Sequence, residues 1–485
     1  MPTEHRDPEV PNQEPQPAAA TVLLAFHFPP SPEVGARRMS ALARHLRAKG
    51  HRVMVVSAFE GLQTLVEADK RSEQLRGYQL IRVPIPSEKV LALLVRSKDL
   101  LRRLGWASPA TQPALSPAAA SPATQPTLSP ALARLATSVK AGIASVRRFL
   151  LDVIYLIDDR KRWSWQAARR ILQAPQLPRA TVMIVSAPPV SPLLAAIVAG
   201  RRLGFPVIVD LRDPIYLQTE HGTADHRFHS QWGRRTLERY VLRRAAHITT
   251  TSPSLRDHLQ TNYPEIADRI SCIYNSFEGD PAPPLASTGN RLVIVYAGAL
   301  YLNRDPFPFL EAVGDLLGRP DVDKSRVEVV FAGECEDFRG ISLRGWLAER
   351  AWADAVTIHP KLGAAELGAL YERATLLINF AEGQRMQIPA KTFELLALGR
   401  ELLVLCEPQS DTAVLVRGIT GVSCTQSGDP RELRALLQDI YRRHVDHGTL
   451  RAPSPREISR YSPLAQHEQF ARLIERLRSD VADRR

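Results

Sequence analysis

Short apolar runs alternate with longer stretches of mixed polarity along most of the chain. Residues 21–26, 52–57, 181–186, 206–211 and 246–251 are compact and rich in Val, Ile, Leu and Thr, as buried strands are. Between the first two, Met39, Leu42, Ala43 and Leu46 recur at i, i+3, i+4 and i+7, which predicts a helix over 36–49 that Gly50 stops. Residues 192–203 and 234–244 read as further helices, the latter strongly basic. A second series begins at 291–298 and continues with strands at 327–333, 356–359, 374–381, 401–406 and helices at 308–317, 364–373 and 430–444. Strand–helix alternation in both halves predicts an α/β chain of two doubly wound domains facing across a cleft. Residues 270–275 and the Gly-, Pro- and Ser-containing loop 276–290 read as the linker between them.

In such sheets ligands bind beyond the carboxyl ends of strands, so the chemistry is sought there. The loop after the first strand, 27–35, is too rich in proline for helix or central strand and ends on Gly35, where backbone can approach a ligand closely. Arg37 and Arg38 follow in the first helical turn. The strand 206–211 ends in Asp210-Leu-Arg212-Asp213-Pro, either a ligand-facing group or a salt-bridged loop. The fullest pattern is Ile388-Pro-Ala-Lys-Thr-Phe-Glu-Leu-Leu-Ala-Leu-Gly399, which follows the apolar run 374–381. Pro389 suits the first position of a helix and Gly399 its stop. Lys391 adds positive charge to a helix start, and Glu394, on the same face, can accept hydrogen bonds from vicinal hydroxyls. Phosphate plus diol describes a nucleotide.

Composition narrows this picture. A chain of 485 residues exceeds one compact core, so two domains with extensions are expected. Its 63 Lys+Arg against 51 Asp+Glu give a formal net charge of +12, which fits anionic partners. No basic stripe interleaved with aromatics points to nucleic acid. The four cysteines are scattered, as reduced core thiols of a cytosolic protein are. The tail 1–19 is polar and Pro-rich without an apolar core, so no signal peptide is expected. Ser108-Pro-Ala-Thr-Gln-Pro113 recurs as Ser121-Pro-Ala-Thr-Gln-Pro126, and 107–130 reads as a disordered insertion. Basic apolar segments flank it at 90–106 and 132–157; they suit an anionic membrane face or a solvated helix face. Asp321-Val-Asp323 has the spacing of a DxD metal motif but sits in an expected surface loop, so no metal is expected.

Taken together, Phe28-Pro-Pro…Gly35-Ala-Arg-Arg, Asp210-Leu-Arg-Asp-Pro214, Thr249-Thr-Thr-Ser252, Tyr274-Asn-Ser-Phe277, Ala297-Gly-Ala-Leu-Tyr301 with Arg304, and the 388–399 stretch resemble the GT-B glycosyltransferases, especially retaining family 4. The resemblance implies two Rossmann-like domains: an acceptor domain over 20–280 and a nucleotide-sugar donor domain over 281–454, with 455–485 a helical segment crossing back. It implies transfer of a hexose, with retention, from a nucleotide-diphosphate sugar to a lipid-linked or polysaccharide acceptor, without a cofactor, in a cytoplasmic protein that contacts the inner membrane face. By the same resemblance Arg304 and Lys391 would hold the diphosphate, Gly35 would approach it, and Glu394 would bind the ribose. Three positions depart from the pattern. Met386 stands where the first glutamate of E-x7-E touches the donor sugar, with Gln384, Arg385 and Gln387 nearby; Ala299 stands where a second basic residue is usual. Arg212, with Asp213 beside it, stands where a histidine often sits near the reacting carbon. A divergent member is implied, or a protein that binds sugar nucleotides without turning them over.

Overall fold

The computed structural model describes residues 20–31, 33–59, 78–85, 158, 160–174, 177–215, 228–284 and 289–483. The expected tail 1–19, the insertion 107–130 and its basic flanks 90–106 and 132–157 lie outside the described residues. The first half runs β1 (Ala20–Ala25), α1 (Val34–Ala48), β2 (Arg52–Phe59), β3 (Gln79–Pro84), α2 (Lys161–Leu172), β4 (Val182–Ala187), α3 (Ser191–Leu203), β5 (Val207–Leu211), α4 (Phe228–Arg244), β6 (His247–Thr250), α5 (Pro253–Asn262) and β7 (Ile270–Cys272). The second half runs β8 (Leu292–Ala297), α6 (Phe307–Leu317), β9 (Val327–Ala332), a small hairpin of β10 (Asp337–Phe338) and β11 (Ile341–Ser342), α7 (Leu343–Ala348), β12 (Val356–His359), α8 (Ala364–Arg373), β13 (Leu376–Phe380), α9 (Ala390–Leu396), β14 (Glu401–Leu405), α10 (Asp411–Val416), β15 (Val422–Thr425) and α11 (Pro430–Tyr441). The chain closes with α12 (Pro455–Ile458) and α13 (Pro463–Asp483).

Two sheets result, ordered β3-β2-β1-β4-β5-β6-β7 and β12-β9-β8-β13-β14-β15, and every pairing in both is parallel. Each is therefore doubly wound, and its strand order reverses between the first strand and the fourth. That reversal opens a crevice at the carboxyl ends of β1 and β4 in one sheet, and of β8 and β13 in the other. Period-2 alternation covers both faces of each sheet. Val22 and Leu24 enter one core with Trp163, Leu193 and Val241, while Leu23 and Ala25 enter another with Leu42 and Met39. In the second sheet Leu292 and Ile294 face Phe309 and Leu437, while Val293 and Val295 face Phe393 and Leu396. Helix α13 belongs to the first sheet, because Phe470, Leu473 and Ile474 complete the core behind α1.

One buried ion pair ties these layers together. Asp210, at the end of β5, is fully buried and binds Arg38 of α1 through both oxygens at 2.8 and 3.1 Å. Ser186 and Thr249 donate to the same carboxylate, each at 2.8 Å. Arg38 spends its remaining donors on the carbonyls of Ile273 and Tyr274, at 3.0 and 2.7 Å, where the chain leaves the first sheet. The two readings of the β5 end thus divide: Asp210 is the salt bridge, and Arg212 and Asp213 reach the cleft.

Three local expectations shift. Residues 270–272 of the expected linker form β7 and pair with β6 at the edge of the first sheet. Pro389 has ψ of 131°, an extended value, so it caps α9 from outside and is not its first residue. Gly399 does not end the helix, which stops at Leu396; it forms the following turn, with φ of 61°.

Candidate active site

The second sheet supplies the positive side of the cleft. The loop after β8 carries Gly298, Tyr301 and Arg304, and the loop after β13 leads into α9 with Lys391. Asn379, on β13, donates to Thr392 at 2.9 Å and so fixes the start of α9 against its strand. The Lys391 ammonium reaches back to the Ala297 carbonyl and lies 5.5 Å from the Tyr296 ring centre. A Cβ on Gly298 would stand 2.5 Å from that nitrogen, so glycine is what lets the lysine lie here. Arg304 stacks over Tyr301 at 4.3 Å and reaches the Ala299 carbonyl, which the Tyr296 hydroxyl also contacts at 2.8 Å. Neither cation makes an ion pair with a carboxylate among the described residues, and the Arg304 Nε is buried without a hydrogen-bond partner.

Two cations in a partly desolvated pocket repel each other, and the Glu394 charge offsets only part of that. Burial first, and then the Arg304 charge, push the Lys391 ammonium down to about 8. The arrangement has room for an anion, and an anion would restore the lysine's proton affinity. The sign of the pH effect follows. Below about 8 Lys391 is already charged, so anion affinity is level; above it, binding must take up a proton, and affinity falls by up to about tenfold per pH unit. Calorimetric titration of a nucleoside diphosphate from neutral to alkaline pH should give that profile. Lys391→Arg, which stays protonated, should flatten it.

The first sheet supplies the opposite wall. The Arg212 guanidinium packs over Gly35, where a Cβ would fall 2.5 Å from its Nη1, and it donates to the Pro188 carbonyl at 2.5 Å. Gly35 therefore makes room for Arg212. Asp213 accepts a 2.8 Å hydrogen bond from Gln387 of the second half, which spans the cleft. Together with Asn275, Tyr296, Gln384 and Lys391 these residues line a cavity of about 340 Å³ that opens to solvent, within the range of small-ligand sites. Gly35→Ala should displace Arg212 while barely changing thermal stability, since the neighbour it meets is the end of a long side chain. Positional errors of this size cost about 10–100-fold in turnover. Initial rates beside a melting curve check it.

Glu394 stands apart from this group. It lines a neighbouring recess and is paired to Arg37 of α1 at 2.5 Å through one carboxylate oxygen. Met386 turns away from the cleft and packs on the first sheet's core, while its carbonyl accepts from Ser252 at 2.6 Å. Asp411 accepts from the Ser254 amide and hydroxyl at 2.9 and 2.8 Å, a second strap between the halves. Asp321 and Asp323 bind Arg319 and Ser325 on the surface and do not line the cleft. In the sequence Gln387 stands out only as a neighbour of Met386. Tyr296 and Asn379 carried no separable signal, because each reads as part of an apolar strand.

Residues 35–275 match the family model described as a glycosyl transferase 4-like domain. No curated protein matches the sequence. Solved structures do match in fold. HepE of Anabaena, crystallised with UDP and glucose, superposes with a TM-score of 0.53 at 13% identity, over 94% of this chain and 99% of its own. Trehalose 6-phosphate synthase of Burkholderia multivorans gives 0.56 at 9% identity, over 96% and 98%. The lipopolysaccharide outer core galactosyltransferase WaaB gives 0.51 at 12%, over 93% and 98%. At such identities the likeness is one of fold.

Proposed function

The chain is a family 4-like glycosyltransferase of the GT-B fold, by the match of residues 35–275 and by its architecture, and from this premise we propose that it transfers a hexose, with retention, from a nucleotide-diphosphate sugar to a lipid-linked or polysaccharide acceptor. The observation that carries the reading is the pair Arg304 and Lys391, two cations converging at the switch point of the second sheet without a carboxylate partner among the described residues. UDP in the HepE structure supports a nucleoside diphosphate as the anion. The bond from the anomeric carbon to the diphosphate breaks, one forms to the acceptor oxygen, and the acceptor proton leaves with the nucleoside diphosphate. Arg304 and Lys391 stabilise the charge that grows on the departing diphosphate. Arg212 and Asp213 face the sugar end, and Glu394 takes the ribose hydroxyls. No helix among the described residues is long and apolar enough to cross a membrane.

The second reading keeps binding and drops turnover. Met386 favours it, because a side chain packed on the first sheet's core offers the donor sugar no carboxylate. A panel of nucleotide sugars read by thermal shift identifies the donor. Nucleoside diphosphate release then separates the readings, with Arg304→Ala and Glu394→Ala as controls. Stabilisation by a donor without release in the presence of polysaccharide or glycolipid acceptors selects the second.

A further inference from the structure

The four cysteines include one pair in contact. Cys406 follows β14 directly and Cys424 lies in β15, the neighbouring parallel strand at the edge of the second sheet. The register pairs Val404 with Cys424, and the Cys406 amide continues the ladder by donating to the Thr425 carbonyl at 2.8 Å. Cys406 therefore stands one pleat beyond Val404 on the same face, and its sulfur lies 3.0 Å from that of Cys424. A disulfide bond needs about 2.05 Å, so an approach of about 1 Å separates this contact from a covalent bond. Cys406 is buried, whereas Cys424 is half-buried and open to a small solute.

The two sulfurs are chemically unequal. The hydrogen bond between them lowers Cys424 from the ordinary thiol range and pushes Cys406 up, with Arg417 favouring the Cys424 thiolate and burial disfavouring that of Cys406. Burial pushes the other two thiols up as well, Cys272 to about 11 and Cys335 to about 12. The thiolate is the nucleophile, so Cys424 is the reactive sulfur and Cys406 its neighbour in position to resolve it. Both strands end in loops that grip the wall of the cleft. Glu407, next to Cys406, accepts from the Gly383 amide at 2.9 Å. Ser427, three residues after Cys424, donates its amide and hydroxyl to Glu382 at 2.7 and 2.6 Å. Glu382 and Gly383 begin the loop after β13 that carries Gln384 and Gln387 into the cleft.

We propose that Cys406 and Cys424 are a redox-modified site, which a hydroperoxide converts to a disulfide that stiffens the cleft loop after β13. The Cys424 thiolate attacks one oxygen of hydrogen peroxide, the O–O bond breaks, and hydroxide leaves behind a sulfenic acid. That hydroxide and the proton Cys424 had given up make the first water. The Cys406 sulfur then displaces the sulfenic hydroxyl, which takes the Cys406 proton and leaves as the second water. Two thiols and one peroxide thus become one disulfide and two waters, and a dithiol reverses the change by exchange. The bond ties together the strand ends that hold Glu407 and Ser427, and so restrains both grips on the cleft loop. Neither step involves a nucleotide sugar, so failure of this site and failure of the enzymatic reading are distinct.

The test uses the full chain without donor or acceptor. The protein is treated with hydrogen peroxide, capped with iodoacetamide and digested with trypsin without reduction. Trypsin places Cys406 in the peptide 401–417 and Cys424 in 418–431. Mass spectrometry should find these two linked, lighter than their sum by two hydrogens, and parted again by dithiothreitol. Before oxidation, iodoacetamide should modify Cys424 at least about tenfold faster than Cys335. Amide hydrogen exchange over 382–387 should slow by about tenfold in the oxidised chain. It should keep the reduced rate in Cys424→Ser and Cys424→Ala given the same peroxide, and unchanged melting temperatures show that these variants are folded. Oxidation of Cys424 to a sulfinic acid while Cys406 remains open to alkylation overturns the proposal, as does a linkage that joins two chains. Exchange over 382–387 that is the same with and without the disulfide also overturns it.

Discussion

Arg304→Ala should lower kcat/KM for the nucleotide-sugar donor by about 10²–10³-fold, the loss typical when a preorganised charge is removed from a developing anion. The loop that carries it is built for that position. The Tyr296 hydroxyl holds the Ala299 carbonyl at 2.8 Å, and Tyr301 supports the guanidinium at 4.3 Å. Nothing in the described structure neutralises Arg304, so its removal should leave the fold intact and deprive only the ligand. A coupled consequence distinguishes this from a general loss of shape. Arg304 is the largest neighbouring charge depressing Lys391, second only to burial, so the alkaline loss of diphosphate affinity should move upward in pH in the variant. Steady-state rates give the first effect, and calorimetric titration across pH gives the second.

Asp210→Ala should cost about 3–5 kcal/mol of folding stability, because it leaves the Arg38 guanidinium buried without its counter-charge. Side-chain exposure is 5% for Arg38 and 0% for Asp210, so water cannot substitute. The joint replacement Arg38→Met/Asp210→Leu should cost less than the single change, since no buried charge remains. Burial opposes the carboxylate, but Arg38, Thr249 and Ser186 outweigh it and hold Asp210 below its ordinary carboxyl range. Its stabilising contribution is therefore complete above about pH 4, the unfolded value, and is lost as pH falls through the lower folded value. Urea unfolding at neutral and acid pH checks both statements. The expected acid sensitivity disappears in the double variant.

How much of this was legible beforehand depended on the kind of signal. Long buried strands such as Val182–Ala187 and Leu292–Ala297 announce themselves as unbroken apolar runs, and the parallel architecture follows from their spacing. Strand β3 escaped because it lies at the sheet edge, half-exposed, with Arg82 in its centre. The β10–β11 hairpin has only two residues per strand, below any readable period. Helix α2 hides its inner face behind Ala167 and Ala168, small residues that dilute the pattern. At the site, charges placed after strands were visible, and Arg212, Asp213, Arg304 and Lys391 do converge on one cleft. Pairings between distant segments were not visible. The Arg37–Glu394 bridge and the Gln387–Asp213 bond join residues 357 and 174 positions apart, and no local pattern encodes them. The outward turn of Met386 toward the first sheet is of the same kind, a tertiary choice that composition does not record.

The central claim is that the cleft between Arg304 and Lys391 binds a nucleoside diphosphate as the leaving group of sugar transfer. Its most direct test is the release of nucleoside diphosphate from the donor that most stabilises the wild-type chain, measured in parallel for wild type and Arg304→Ala. The account predicts release that requires an acceptor and falls by about 10²–10³-fold in the variant, while both proteins melt at similar temperatures. Release that is unchanged in Arg304→Ala would contradict it, and so would a stabilising donor that no acceptor turns over.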